Sequence, residues 1–405
     1  MHDNAKNLYE TLPAELRLVL LCAKLKIEQK ERQLIDQLLV GPINWDFFVY
    51  LALHHKVYPI VYRYLSTLSA VPKEVLFALQ QETNKNISHT LPMMAELVRV
   101  LKIMDNNGIR VVVMKGFPLA YQLYKDMTLR PSRDLDILIS PKNLDKVRML
   151  IEENGYILRP PIAKLTPEQL KKWMKSNQHI EYWQPNKGIL LEIHWRLDCH
   201  GMDIPLAQAQ NSLIQLQIAG QSIQILGKEE SLLYLVLHGA VHAWFRLKWL
   251  YDVDAMIRQG DFCWSALYQL ADRLAVRTVL NQTVILLREL LQTPIPIGIV
   301  TVAIKDKQAE KLGWMALRFI KDHEYHPKSR KVIAVLYFQW RKYQFYLQSK
   351  WKKRLSFIFR CFLPSEEDLA MISLPAKLYF VYYILSPFSW IGRRVQNIAR
   401  RYTVG

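Results

Sequence analysis

The chain has 405 residues, 51% of them apolar and 22% charged, enough for more than one buried core and ordinary for a folded protein. With only 14 glycines and neither G-x-x-x-x-G-K-[ST] nor G-x-G-x-x-G, P-loop and Rossmann readings are set aside. The formal net charge of +18 points to polyanions (nucleic acid, acidic lipid or nucleotide phosphate) without choosing among them.

The N-terminus, "MHDNAKNLYETLPAELRLVLLCAKLKIEQ", scatters charges and offers no small-residue cleavage site, so it does not read as a signal peptide. Residues 1–90 predict helices. "LPAELRLVLLCAKLKI" and "NWDFFVYLALHHKVYPIVYRYL" carry apolar residues at spacings of three and four, with Asn44 as an N-cap. His54 and His55 read as packed or surface histidines rather than ligands. Pro72 suits the first turn of "VPKEVLFALQQETNKNI". A separate amphipathic helix, "LPMMAELVRVLKIMDNNG", is expected from residue 91, stopping at Asn-Asn-Gly.

"IRVVVMKG" is a buried strand, "FPLAYQLYKD" a short helix, "MTLRPSR" a loop and "DLDILIS" a second strand. "PKNLDKVRMLIEENG" predicts a helix, "YILRP" a short strand and "TPEQLKKWMKSN" a polar helix. "HIEYWQP" and "GILLEIHWRL" form a hairpin through "QPNKG". From residue 228 helices return, and from about 321 the chain is rich in Lys, Arg and aromatics, as in "WRKYQFYLQSKWKKRLSFIFR". The apolar run "LPAKLYFVYYILSPFSWIG" is broken by Lys377 and two prolines, too interrupted for a spanning helix. Four cysteines (Cys22, Cys199, Cys263, Cys361) lie far apart, which suits free thiols in a reducing compartment. A cytoplasmic location is expected. The predicted fold is α+β: a small mixed-sheet core over 91–227, between helical regions at 1–90 and 228–405.

The chemistry concentrates in "DLDILIS". Side chains alternate along a strand, so Leu135, Ile137 and Ile139 face a core while Asp134 and Asp136 share the other face. Two carboxylates that close repel unless a cation or proton sits between them. In "ILLEIHWRL" the same alternation groups Glu192, His194 and Arg196, opposite Leu191, Ile193 and Trp195. If the two strands are neighbours, Glu192 completes a three-carboxylate site for Mg²⁺ or Mn²⁺, with His194 as a base or a partner of the acid. Lys115 ends the first strand, Gly116 permits a tight turn into a helix N-terminus, and Arg130 and Arg133 lead to the aspartates. These are predicted phosphate ligands. His238 and His242 share a helix face, but Gly239 stands where HExxH places its glutamate, which argues against zinc.

The segment "VVVMKGFPLAYQLYKDMTLRPSRDLDILI" resembles the signature of an uncharacterised bacterial nucleotidyltransferase family within the polymerase-β-like superfamily. "LLEIHWRL" and "LLYLVLHGAVHAWFRLKWLYDVDAMI" are similar to that family's later strand and histidine-bearing helix. The resemblance implies a nucleoside triphosphate donor, expected to be ATP. It implies Asp134, Asp136 and Glu192 as ligands of the metal, and Lys115 with Gly116 in the phosphate-binding turn. That turn is Gly-Ser in the wider superfamily and Lys-Gly here. His242, with Arg246 and Asp252, is placed by resemblance in the nucleotide or acceptor pocket. The expected activity is transfer of an NMP to a small molecule, peptide or nucleic acid. The alternative is a basic nucleic-acid-binding or membrane-surface protein, touching its partner through the basic tail, with a non-catalytic core.

Overall fold

Among the described residues of the computed structural model five α-helices precede the first strand: α1 (Ala14–Cys22), α2 (Gln29–Val40), α3 (Trp45–His54), α4 (Tyr58–Leu65) and α5 (Lys73–Asn106). The structure describes residues 8–360, except 161, 200–201, 206–211, 219, 261 and 322–329, together with 368, 378, 381–382 and 384–385. Cys361 and most of the 374–392 run lie outside the described residues. Asn44 caps α3 as expected, its side-chain oxygen accepting from the Phe47 N–H. In place of two helices meeting near residue 90, the chain forms a single 34-residue α5 with Pro92 inside it. Proline forfeits one helical hydrogen bond, and burial on both sides holds the helix together. Val75 and Leu79 enter the core of the helical region, whereas Met93, Leu97, Val100 and Met104 enter the core beneath the sheet. The expected 90/91 division thus falls within an element that joins two cores.

The sheet region runs β1 (Val111–Val113), α6 (Phe117–Tyr124), β2 (Asp134–Ile139), α7 (Leu144–Glu153), β3 (Ile157–Leu158), α8 (Pro167–Ser176), β4 (His179–Gln184) and β5 (Ile189–His194). β4 and β5 make the hairpin expected through "QPNKG". Four further strands follow that the sequence reading passed over: β6 (Leu197–Cys199), β7 (Met202–Ile204), β8 (Ile214–Ile218) and β9 (Gln221–Ile225). Their overlooked signal is the alternation in "IQLQI" and "QSIQI". The main sheet has the order β3-β4-β5-β2-β1-β9-β8, with β2–β5 and β1–β9 parallel and the other pairs antiparallel. β6 and β7 form a separate ribbon. A mixed sheet flanked by many helices is an α+β fold.

Leu135, Ile137 and Ile139 bury with Leu191 and Ile193 in the core that α5 also enters. On the other face Val112, Met114 and Leu138 join the helical core. At the start of β2 that second face opens into a cleft. Over it lie α9 (Lys228–Val241) and α10 (Leu247–Gln259), followed by α11 (Trp264–Arg273), α12 (Arg277–Leu286), α13 (Ile297–Lys305), α14 (Lys307–Lys321), α15 (Arg330–Leu347) and α16 (Trp351–Arg360). Among the described residues no helix is long and apolar enough to cross a membrane.

Candidate active site

Parallel pairing of β2 with β5 sets Asp136 directly beside Glu192 and Asp134 beside Leu190. His194 spans the acids, its Nε2 lying 3.2 Å from both Asp136 Oδ1 and Glu192 Oε2. Lys115 Nζ meets Asp136 Oδ1 at 2.9 Å. Asp136, Glu192 and His194 offer ligand atoms that all lie within 4.8 Å of one another, as do His179, Glu181 and Glu192. Asp134 belongs to neither trio; its carboxylate accepts from Ser132 Oγ at 3.1 Å and lines the same cleft. Arg196 departs from the expected face. β5 ends at His194, and Arg196 lines a different cavity beside Trp195 and Leu158.

The charges explain one another. Burial alone would raise the Asp136 carboxyl, but Lys115 and the His194 hydrogen bond hold it well below the ordinary carboxylate range. Burial, then the Asp136 charge, raises Glu192, against the pull of His194 and Lys115. Burial would strip the proton from His194, yet its hydrogen bonds to Asp136 and Glu192 raise it. Lys115, which burial would lower, is likewise raised well above its usual range by Asp136, with Tyr234 and Glu192 adding to the effect. The carboxylates thus favour the protonated forms of Lys115 and His194. His179, stacked on His194 at 4.9 Å, is pushed down to about 3 by burial and by the His194 charge.

Gly116 joins β1 to α6 at φ 78°, a left-handed conformation that favours glycine, with the Asp134 carbonyl 3.8 Å from where a Cβ would sit. Arg130, predicted as a phosphate ligand, lines the cleft and also pairs with an acid. Its Nε donates to both Asp252 oxygens at 3.0 and 2.9 Å, and Tyr124 donates to the same carboxylate at 2.9 Å. Arg130 and Asp252 are 4% and 0% exposed, so this pair pins α10 to the loop before β2 although Arg130 also touches the cleft wall. Arg133 and Arg246 make no ion pair among the described residues. Burial, then Arg133, lowers both Lys56 and Arg246, and the buried Arg246 Nε finds no hydrogen-bond partner among the described residues. A guanidinium crowded by cations and short of an acceptor is suited to an anion.

The cleft holds about 400 Å³. Lys115, Arg130, Asp134, Asp136, Glu192, His194 and His242 line it together, whereas Arg133 opens onto a neighbouring cavity. Its roof contains residues that sequence reasoning missed: Tyr234, Phe245, Lys248 and Trp249. The His242 ring stacks on Trp249 at 5.0 Å, and Phe245 meets the same indole edge-on at 5.0 Å. Lys248 donates to the Pro131 carbonyl at 3.0 Å and is pushed down to about 7 by burial, then by Arg130. The available signal for these residues was their proximity in sequence to His242. Gly239, which argued against zinc, has a packing reason: a Cβ there would lie 2.2 Å from the Trp244 ring.

No match to this chain is found among curated proteins or among solved structures. A family model described as "Uncharacterised nucleotidyltransferase" does match, over residues 41–292, and that span takes in α3, the sheet, the cleft and all of α12. More than half of the sequence lies within it, and the chain belongs to this nucleotidyltransferase family and is a transferase.

Proposed function

We propose that the protein is a divalent-metal-dependent nucleotidyltransferase that moves an NMP from an NTP, ATP being the expected donor, to an acceptor. The observation that carries this reading is the convergence of Asp136, Glu192 and Lys115 in a cleft where the buried Arg246 Nε finds no partner among the described residues. The donor set fits the ion: carboxylate oxygens suit Mg²⁺ or Mn²⁺, and Asp136 with Glu192, joined by Asp134, would hold it. Such an ion, when bound, would polarise the phosphoryl oxygens and neutralise the developing charge. His194 orients both carboxylates, and Lys115 offsets their repulsion. Arg246 and the N-terminus of α6 beyond Gly116 receive triphosphate oxygens, and Trp249, Phe245 and His242 offer faces for the base.

In the transfer, an acceptor oxygen forms a bond to the α-phosphorus while the bond to pyrophosphate breaks. The acceptor's proton passes to Glu192, whose carboxyl is raised by burial and by the Asp136 charge. Thermal unfolding tests the reading. ATP with Mg²⁺ or Mn²⁺ should raise the melting temperature in proportion to the logarithm of ligand concentration above Kd. Asp136→Asn should lose the shift while keeping its far-ultraviolet circular dichroism. An equal shift in the variant would remove this carboxylate from the site.

A further inference from the structure

The sheet register sets a second row of side chains beside the acids. Asp134 pairs with Leu190, Leu190 with Trp183, and Trp183 with Ile157. Directly paired residues point to the same face, so this row lies on the face of Asp136 and Glu192. One step of two residues separates the rows, roughly 7 Å along the strands. Beyond Asp134 the row is apolar, and its outer members are open to solvent: Trp183 is 38% exposed and Ile157 57%. A cavity of about 640 Å³ stands over it, with Arg133 and Arg159 among its walls. Glu181 neutralises Arg159 at 2.8 Å, whereas Arg133 makes no ion pair among the described residues.

This cavity shares no lining residue with the cleft, and the two meet at consecutive positions, Arg133 in one and Asp134 in the other. An in-line displacement needs the attacking oxygen and the pyrophosphate on opposite sides of the α-phosphorus. The acceptor therefore approaches from a place the triphosphate does not fill. We propose that the outer cavity is the acceptor site, taking a small molecule that lays a flat or apolar group on Trp183 and turns a negative charge to Arg133. The proposal rests on the nucleotidyltransferase reading of the acids. An exposed indole offers stacking to any planar group, and an unpaired guanidinium selects the anionic ones.

Phenyl phosphate, a ring joined to an anion, is a direct probe by isothermal titration of the full chain. The wild type should bind it without divalent metal, and benzyl alcohol should bind at least about tenfold more weakly for want of a charge. Trp183→Ala should weaken phenyl phosphate roughly tenfold, the scale of one lost stacking contact, and Trp183→Phe should restore it. Arg133→Gln should weaken it too, and saturating MgATP should not displace it. Failure of the wild type to bind, equal binding by Trp183→Ala, or competitive displacement by MgATP would each overturn the assignment. The MgATP melting shift separates the two readings. Its absence from the wild type refutes the nucleotide site, whereas its retention with loss of phenyl phosphate dependence on Trp183 refutes the acceptor site alone.

Discussion

Glu192 shows how much chemistry one backbone register can carry. Its partner across the parallel pair is Asp136, and His194, two residues on, bonds both carboxylates at 3.2 Å. If Glu192 serves as ligand or base, Glu192→Gln keeps its shape and loses its charge. Nucleotide binding, read by the melting shift, should then survive while pyrophosphate release falls by roughly a hundredfold or more. Undiminished turnover would make Glu192 a bystander. Lys248 offers a separate, pH-resolved measurement. A lysine in an unfolded chain ionises near pH 10.4, whereas Lys248 in the fold is pushed down to about 7. Between those values the unfolded chain binds the extra proton, so stability rises with pH across that window; below about 7 both states are charged and the fold bears the cost of enclosing the ammonium. Denaturant midpoints from about pH 7 to about pH 10 should climb in the wild type and flatten in Lys248→Met. Parallel curves would place the titrating group elsewhere.

Elements differ in how far their sequence announced them. The strands of "DLDILI" and "ILLEIH", and the hairpin joining β4 to β5, were legible because alternation is a local property that burial enforces. Their adjacency was only conditional in the sequence, since nothing local says which strand lies beside which. The unbroken α5 was hidden by Pro92, a local breaker outweighed by side chains buried in two cores. Arg130 shows the same limit: 122 residues separate it from Asp252, so its buried pair with that acid was invisible in the sequence. The junction of α9 and α10 was equally illegible. Ala243 and Trp244 adopt φ of 51° and 55° there, a strained conformation that turns the chain and seats the Trp244 ring against Gly239. That turn delivers Phe245, Arg246 and Trp249 to the cleft. Sequence could name the residues, but only packing aims them.

At the scale of the whole molecule, the site joins regions far apart in sequence: acids from the sheet, aromatic and cationic side chains from α9, α10 and the turn between them. The +18 net charge is spread far more widely than this cleft, and α16 alone carries Lys352, Lys353 and Arg354 beside the exposed Trp351 and Phe359. A basic exterior and a metal-dependent cleft respond differently to salt. A nucleic acid that meets many lysines and arginines releases a counterion for nearly every phosphate neutralised, so its affinity falls by about 10³–10⁵ between about 50 and 200 mM salt when six to ten phosphates are contacted. A triphosphate held by Lys115, Arg246 and a metal involves fewer charges in a partly enclosed place, where salt screens less. The melting shift with MgATP should therefore persist across that range in the wild type and vanish in Asp136→Asn. Binding of a single-stranded RNA oligomer, followed by fluorescence anisotropy, should collapse with salt and be indifferent to Asp136→Asn. RNA binding that resists salt and disappears with Asp136 would mean that the acids serve a nucleic-acid interface, and the nucleotide reading of the cleft would fall with that result.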